Sequence, residues 1–156
     1  MVMLPIASGK GGVGKSLIAA NLALALAQAG KRVVLVDLDL GGSNLHTILG
    51  MRGLPCGIGT FLSGRSNRFT EVVLPTEYEN LRFVPGDTEI PDLANLTASQ
   101  KRRLLRQLTG VDADYVVLDL GSGSSHHTVD FFLASSSGIV VTTPNLTAIL
   151  NAYLFL

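Results

Sequence analysis

The sequence predicts an α/β fold: a doubly wound, mostly parallel sheet with helices on both faces. Three observations carry that expectation. Short runs rich in β-branched residues recur along the chain, they alternate with segments of helical pattern, and they are apolar almost throughout rather than at every second residue. A strand that is apolar on both sides is buried on both sides, as in a parallel sheet covered by crossover helices.

The elements follow in order. A first strand is expected over residues 3–8 (MLPIAS), and a second over 32–39 (RVVLVDLD), bounded by Gly30 and Gly41. A short third strand starts at Leu81 (LRFVPG), a fourth covers 115–120 (YVVLDL), and a fifth covers 138–143 (GIVVTT). Helices fill the gaps at 15–29, ending at Gly30; at 43–49; at 97–108, capped by Thr97; and at 126–134. Between residues 52 and 79 the pattern is broken by Gly53, Pro55, Gly57, Gly59, Gly64 and Pro75, which predicts short helices and loops. A last helix begins at Asn145 and runs to Leu154, Phe155 and Leu156 with no cap and no polar tail. Residues 1–156 are therefore expected to be the N-terminal portion of one domain, with further strands after them.

Composition narrows the possibilities. A chain of 156 residues can bury roughly two thirds of its unfolded surface, enough for one compact core. Twelve basic and twelve acidic residues cancel, and the sequence pI is near 6.8, so no global field favours nucleic acid or an anionic membrane. A single cysteine, Cys56, excludes a disulfide framework and a self-contained cysteine cluster. No apolar run reaches the roughly 18 residues of a membrane span, and the N-terminus lacks the charged head of a signal peptide. A cytoplasmic location is expected. With 47% hydrophobic and 15% charged residues, part of the surface is expected to need a partner.

The chemistry concentrates in IASGKGGVGKS. Gly9, Gly14, Lys15 and Ser16 satisfy G-x-x-x-x-G-K-S between an expected strand and an expected helix, which is the context of a phosphate-binding loop. Glycines such as Gly11, Gly12 and Gly14 let successive backbone N–H groups, Val13 included, converge on phosphate oxygens. The helix N-terminus adds roughly half a positive charge. Lys15 then neutralises the β- and γ-phosphates, and the Ser16 hydroxyl is a hard oxygen ligand for Mg²⁺. Gly9, Gly11 and Gly14 also spell G-x-G-x-x-G, with Asp37 ending the next strand where a ribose-binding acid would lie. That dinucleotide reading leaves Lys15 and Ser16 unexplained. Lys10 is a second cation, costly to hold beside Lys15 unless anionic charge separates them.

With both lysines in place, SGKGGVGKS resembles the deviant Walker A signature of the MinD/ParA P-loop ATPases. The resemblance implies that Lys10 reaches the nucleotide of a partner subunit, so that ATP holds a homodimer together. It continues in VLVDLDLGGSNLHTILG, similar to switch I, which implies that Asp39 orients or deprotonates the attacking water and that Asp37 helps hold the metal's waters. YVVLDLGSG is similar to Walker B and switch II, which implies that Asp119 accepts from Mg²⁺-bound water and that the Gly121 N–H approaches the γ-phosphate. The family's strand order, 3-2-4-1-5, is expected with it. VVTTPNLTAILNAY resembles the corresponding segment of MinD-like flagellar-number regulators, with Asn145 and Asn151 where acids are usual; Leu17 stands where a threonine is frequent. The implied function is a slow, partner-stimulated ATPase switch that dimerises on Mg²⁺-ATP to place or regulate a cellular assembly through an unidentified protein partner. The alternatives are a nucleotide-gated scaffold with little hydrolysis, and an ATP-dependent amidoligase of the same superfamily.

Other features draw blander expectations. KRRLLRQL from Lys101 reads as a solvated face opposite an apolar stripe rather than a DNA-binding surface. His126 and His127 are adjacent on a helix and point apart, so they do not share a metal; His46 is a helix-surface residue. The iron–sulfur branch of the superfamily uses two cysteines per chain, and here Cys56 stands alone.

Overall fold

The computed structural model describes residues 1–40, 42–86 and 96–156. Among them, β1 (Val2–Ser8), β2 (Val33–Leu38), β3 (Leu74–Pro75), β4 (Leu81–Val84), β5 (Tyr115–Ser122) and β6 (Ile139–Val140) form one sheet in the order β3-β4-β2-β5-β1-β6. Every pairing is parallel except β3 with β4. The order expected for five strands is therefore present as β4-β2-β5-β1-β6, with β3 added at one edge. Pro75 is tolerated there because an edge strand has no neighbour waiting for its missing N–H.

The alternation of side chains along each strand divides the interior into two cores. Val34, Val36, Leu38, Val116, Leu118 and Leu120 face one side and pack with Phe61, Leu104, Leu108 and Phe131. Val33, Leu35 and Val117 face the other and meet Ala19, Ala20, Ala23 and Ala27 of α1 (Lys15–Gln28). Both faces are covered, which is why the strands carry almost no polar residue before their carboxyl ends. Alanines at the contact let α1 lie close to the sheet. Its remaining apolar residues are shared between partly buried positions such as Leu22 and Leu26 and the exposed Leu17 and Ile18. Gly30, at φ 76°, closes the helix: its N–H donates to the Ala27 carbonyl at 2.9 Å, and the Lys31 N–H donates to that of Leu26 at 3.1 Å.

The other helices are α2 (Leu45–Ile48), α3 (Ile58–Leu62), α4 (Ala98–Thr109), α5 (His126–Leu133) and α6 (Leu146–Phe155), with a 3₁₀ turn at Phe69–Val72. The short helices of the broken segment are thus α3 and this turn. Thr97 caps α4 as expected, accepting from the Gln100 N–H at 3.3 Å while Gln100 Oε1 accepts from the Thr97 N–H at 2.9 Å. Of the four cations of α4, Lys101 pairs with Asp130 of α5 and Arg103 lies 4.2 Å over the Phe61 ring; Arg102 and Arg106 are exposed. α6 turns Ala148, Ala152 and Phe155 inward and leaves Leu146, Ile149, Leu150, Tyr153 and Leu154 exposed. Among the described residues no helix is long and apolar enough to cross a membrane.

Candidate functional site

The chemistry-bearing residues gather at the carboxyl ends of β1, β2 and β5, where an open parallel sheet presents its crevice. Between β1 and α1 the chain makes a tight loop that needs left-handed backbone at Gly12 (φ 77°) and Gly14 (φ 89°). A β-carbon at either would meet nothing within 4 Å, so both positions are open toward solvent or a ligand. The loop borders a cavity of about 350 Å³ whose walls include Gly11, Gly12, Gly14, Lys15, Ser16 and Asp39. Ser8, Asn44 and Ser122 complete its polar lining. Val13 turns its side chain into the α1 side of the core, so only its backbone remains for the cavity.

Lys15 is 6% exposed, and its ammonium donates to Asp119 Oδ1 at 2.5 Å and lies 4.0 Å from Asp39 Oδ2. Asp119 is itself 1% exposed. Burial raises its carboxyl group above the ordinary range, opposed by the charge of Lys15 and by the hydrogen bond from its ammonium. Its second oxygen, Oδ2, is buried without a partner, and so is the Ser8 hydroxyl. Orphaned buried oxygens of this kind are rare in folded proteins and mark places where a ligand completes the bonding. The donor set also fits Mg²⁺ with a polyphosphate: a hydroxyl and carboxylates are the hard oxygens this cation takes, and the loop amides with Lys15 supply the complement to phosphate. The residues present therefore accommodate the group.

Asp37 pairs in register with Asp119 across β2 and β5, and neither is among the walls of the cavity; Asp119 adjoins it through Lys15, whereas Asp37 forms no ion pair with Lys15. It is fully buried, with Oδ1 accepting from the Asp39 N–H at 3.1 Å and Oδ2 accepting from Ser43 Oγ at 2.7 Å and the Leu45 N–H at 3.3 Å. Desolvation lifts its pKa to about 6, against those hydrogen bonds, with the charge of Asp119 adding to the rise. Asp39, by contrast, keeps 30% exposure and faces the cavity. A β-carbon at Gly121 would stand 3.8 Å from Asp39 Oδ1, and one at Gly42 3.3 Å from the same atom, so glycines keep the space around this carboxylate clear.

Lys10 lies apart from the cavity wall: its ammonium donates to Thr147 Oγ1 of α6 at 3.2 Å. Thr147 carries no local signal, 137 positions away along the chain. Gly9 is pressed against the same helix, where a β-carbon would fall 2.2 Å from the Asn151 carbonyl carbon. His126, His127 and His46 form no cluster with other ligating groups, and among the described residues no set of three such side chains could hold a metal. Cys56 donates to the Glu71 carbonyl at 3.3 Å, and burial raises its thiol above the ordinary value.

Comparison with known proteins agrees with this arrangement. The family model described as ParA: NUBPL iron-transfer P-loop NTPase matches residues 1–153. The chain is 32% identical over 148 residues to the septum site-determining protein MinD of Bacillus subtilis, covering 94% of this chain and 55% of that protein. It is 36% identical over 152 residues to the flagellum site-determining protein YlxH of Helicobacter pylori, covering 96% and 51%. Among solved structures, the septum site-determining protein MinD of Pyrococcus horikoshii OT3, complexed with Mg-ADP, superposes with a TM-score of 0.84 at 27% identity, covering 96% of this chain and 61% of that one. The chain spans about half the length of the curated relatives it matches. With the loop, the two strand-end carboxylates and the sheet order in place, the chain belongs to the MinD/ParA family of P-loop NTPases.

Proposed function

We propose that this protein is an Mg²⁺-ATP-binding switch that hydrolyses ATP slowly, dimerises when ATP is bound, and so places or regulates a cellular assembly through a protein partner. The observation that carries the reading is the cavity at the glycine loop itself. A left-handed glycine loop and a buried lysine line it, and that lysine pairs with Asp119, whose second oxygen is unpartnered.

The residues divide the work. The amides of Gly11, Gly12, Val13 and Gly14 bind phosphate oxygens, and Lys15 turns from Asp119 toward the β- and γ-phosphates. Ser16 and Asp119 would hold Mg²⁺, directly and through its water; bound there, the cation screens charge that builds on the phosphates. Asp39 orients the attacking water and accepts its proton, and the Gly121 N–H faces the γ-phosphate. Asp37 acts one step back, holding the turn that carries Asp39. Lys10, on the exposed side of the loop, is the group left over for a second subunit's nucleotide. A cytoplasmic location follows from this reading, since ATP is at hand there.

Sedimentation with Mg²⁺-ATP against Mg²⁺-ADP tests the switch. Dimers are expected with ATP only, to be lost in Lys10→Ala while nucleotide binding to the monomer persists. Asp39→Ala is expected to trap the ATP-bound dimer with little turnover. An unchanged profile with either nucleotide defeats the switch, whatever the turnover.

A further inference from the structure

β5 does not stop at Asp119: it runs on through Leu120 and Gly121 to Ser122. The last two positions serve different neighbours. A β-carbon at Gly121 would stand 3.8 Å from Asp39 Oδ1 and from Thr128 Oγ1. The Ser122 hydroxyl instead meets the glycine loop, its oxygen lying 3.6 Å from the place a β-carbon on Gly11 would take. Gly11 has no side chain to occupy that place, so the hydroxyl stands against bare main chain in the wall of the cavity that both residues line.

The backbone fixes this position. Ile6 pairs with Asp119, and a regular ladder would then set Ser8 opposite Gly121; the register slips by one residue, and Ser8 pairs with Ser122. Such irregularities re-aim a side chain at a strand end. The Gly123 N–H secures the arrangement by donating to the Ser8 carbonyl at 2.8 Å. Ser122 is exposed, whereas the Ser8 hydroxyl is buried, so of the two serines it is Ser122 whose O–H is open to a bound molecule.

We infer that Ser122 touches the substrate of this site, its hydroxyl donating a hydrogen bond to an oxygen of the γ-phosphate. This rests on the reading given under Proposed function. Two neighbours single out that phosphate. Gly11 is one of the loop residues whose amides are assigned to phosphate oxygens, which sets Ser122 at the phosphate end of the cavity. Asp39, to which the attacking water is assigned, lines the same cavity and lies beside Gly121, the residue before Ser122, which sets the hydroxyl at the end where attack takes place. The carboxylate of Asp39 only accepts hydrogen bonds, and a serine O–H rotates to give one without adding charge. A hydrogen bond to a phosphate oxygen is charge-assisted and about twice as strong as a neutral one. ADP has no γ-phosphate, so the bond forms with ATP alone and Ser122 discriminates between the two nucleotides. No covalent bond is made or broken at Ser122, and it keeps its proton.

Calorimetric titration of the protein with a non-hydrolysable β,γ-imido analogue of ATP, and separately with ADP, each with Mg²⁺, tests the assignment. Ser122→Ala is expected to weaken the analogue about tenfold and to leave ADP unchanged. Ser122→Thr keeps the hydroxyl and should bind the analogue as wild type does, while Ser122→Val, which has the shape of threonine without the O–H, should be as weak as Ser122→Ala. Analogue affinity unchanged in Ser122→Ala, an equal loss for ADP and the analogue, or a threonine variant no better than the valine one would each overturn the assignment. Wild-type protein that binds neither nucleotide would bring down the nucleotide reading and this assignment with it, whereas the other three results strike Ser122 alone.

Discussion

Asp37 and Asp119 stand side by side at the ends of adjacent strands, and the chain uses them in opposite ways. After β2 the chain folds back within eight residues and spends both oxygens of Asp37 on Ser43, Leu45 and the Asp39 amide. At the end of β5 it passes through Gly121 and leaves by Gly123, at φ 86°, and offers Asp119 nothing for its second oxygen. A carboxylate at the carboxyl edge of a parallel sheet thus keeps an oxygen free or has both spent on the fold according to what the next few residues do. The strand position alone does not decide.

The contrast can be broken most forcefully at Lys15. Lys15→Met leaves Asp119 buried with its charge uncompensated, and stability measured by denaturant at pH 7 should fall by about 3–5 kcal/mol. Adding Asp119→Asn should recover most of that loss; a double variant as weak as the single one would show that the ion pair is not the cause. The next effect belongs to Asp37. Its pKa of about 6 lies above the unfolded value of 3.8, so the folded state binds the proton more tightly and stability falls as pH rises from about 4 to about 6. Asp37→Asn should flatten that decline by at most about 3 kcal/mol, leaving the part due to the likewise raised Asp119. Denaturant melts across this pH range check it, and an unchanged slope would refute the burial argument. The smallest effect sharpens the division of labour: Asp119→Asn should cut the Mg²⁺ enhancement of nucleotide binding about tenfold, roughly 1.4 kcal/mol, while Asp37→Asn leaves it intact. Equal losses in the two variants would make Asp37 a metal-water ligand after all.

Much of this was legible in the sequence where the signal is local. The run VVLVD between Gly30 and Gly41 identifies β2 because β-branched residues apolar on both sides have one comfortable place, and Thr97 with Gln100 announces the start of α4. The loop glycines and Lys15 are legible for the same reason, since the spacing of a phosphate cradle is contained in eight residues. β3 is not, being two residues long with a proline, and it exists only because β4 offers an edge. At the site, what escaped the sequence joins distant segments: Lys10 resting on Thr147, and the Ser122 hydroxyl meeting Gly11. The three bonds that seal Asp37 are closer, two, six and eight residues away, but they depend on how the turn after β2 closes.

The near contact of Gly9 with the Asn151 backbone has a mechanical meaning. Main chain rests on main chain there, with no side chain between them to cushion a displacement. Any molecule that settles on the uncovered outer residues of α6 and tilts that helix pushes directly on the root of the glycine loop, and a loop tightening around its ligand pushes back on α6 through the same fulcrum.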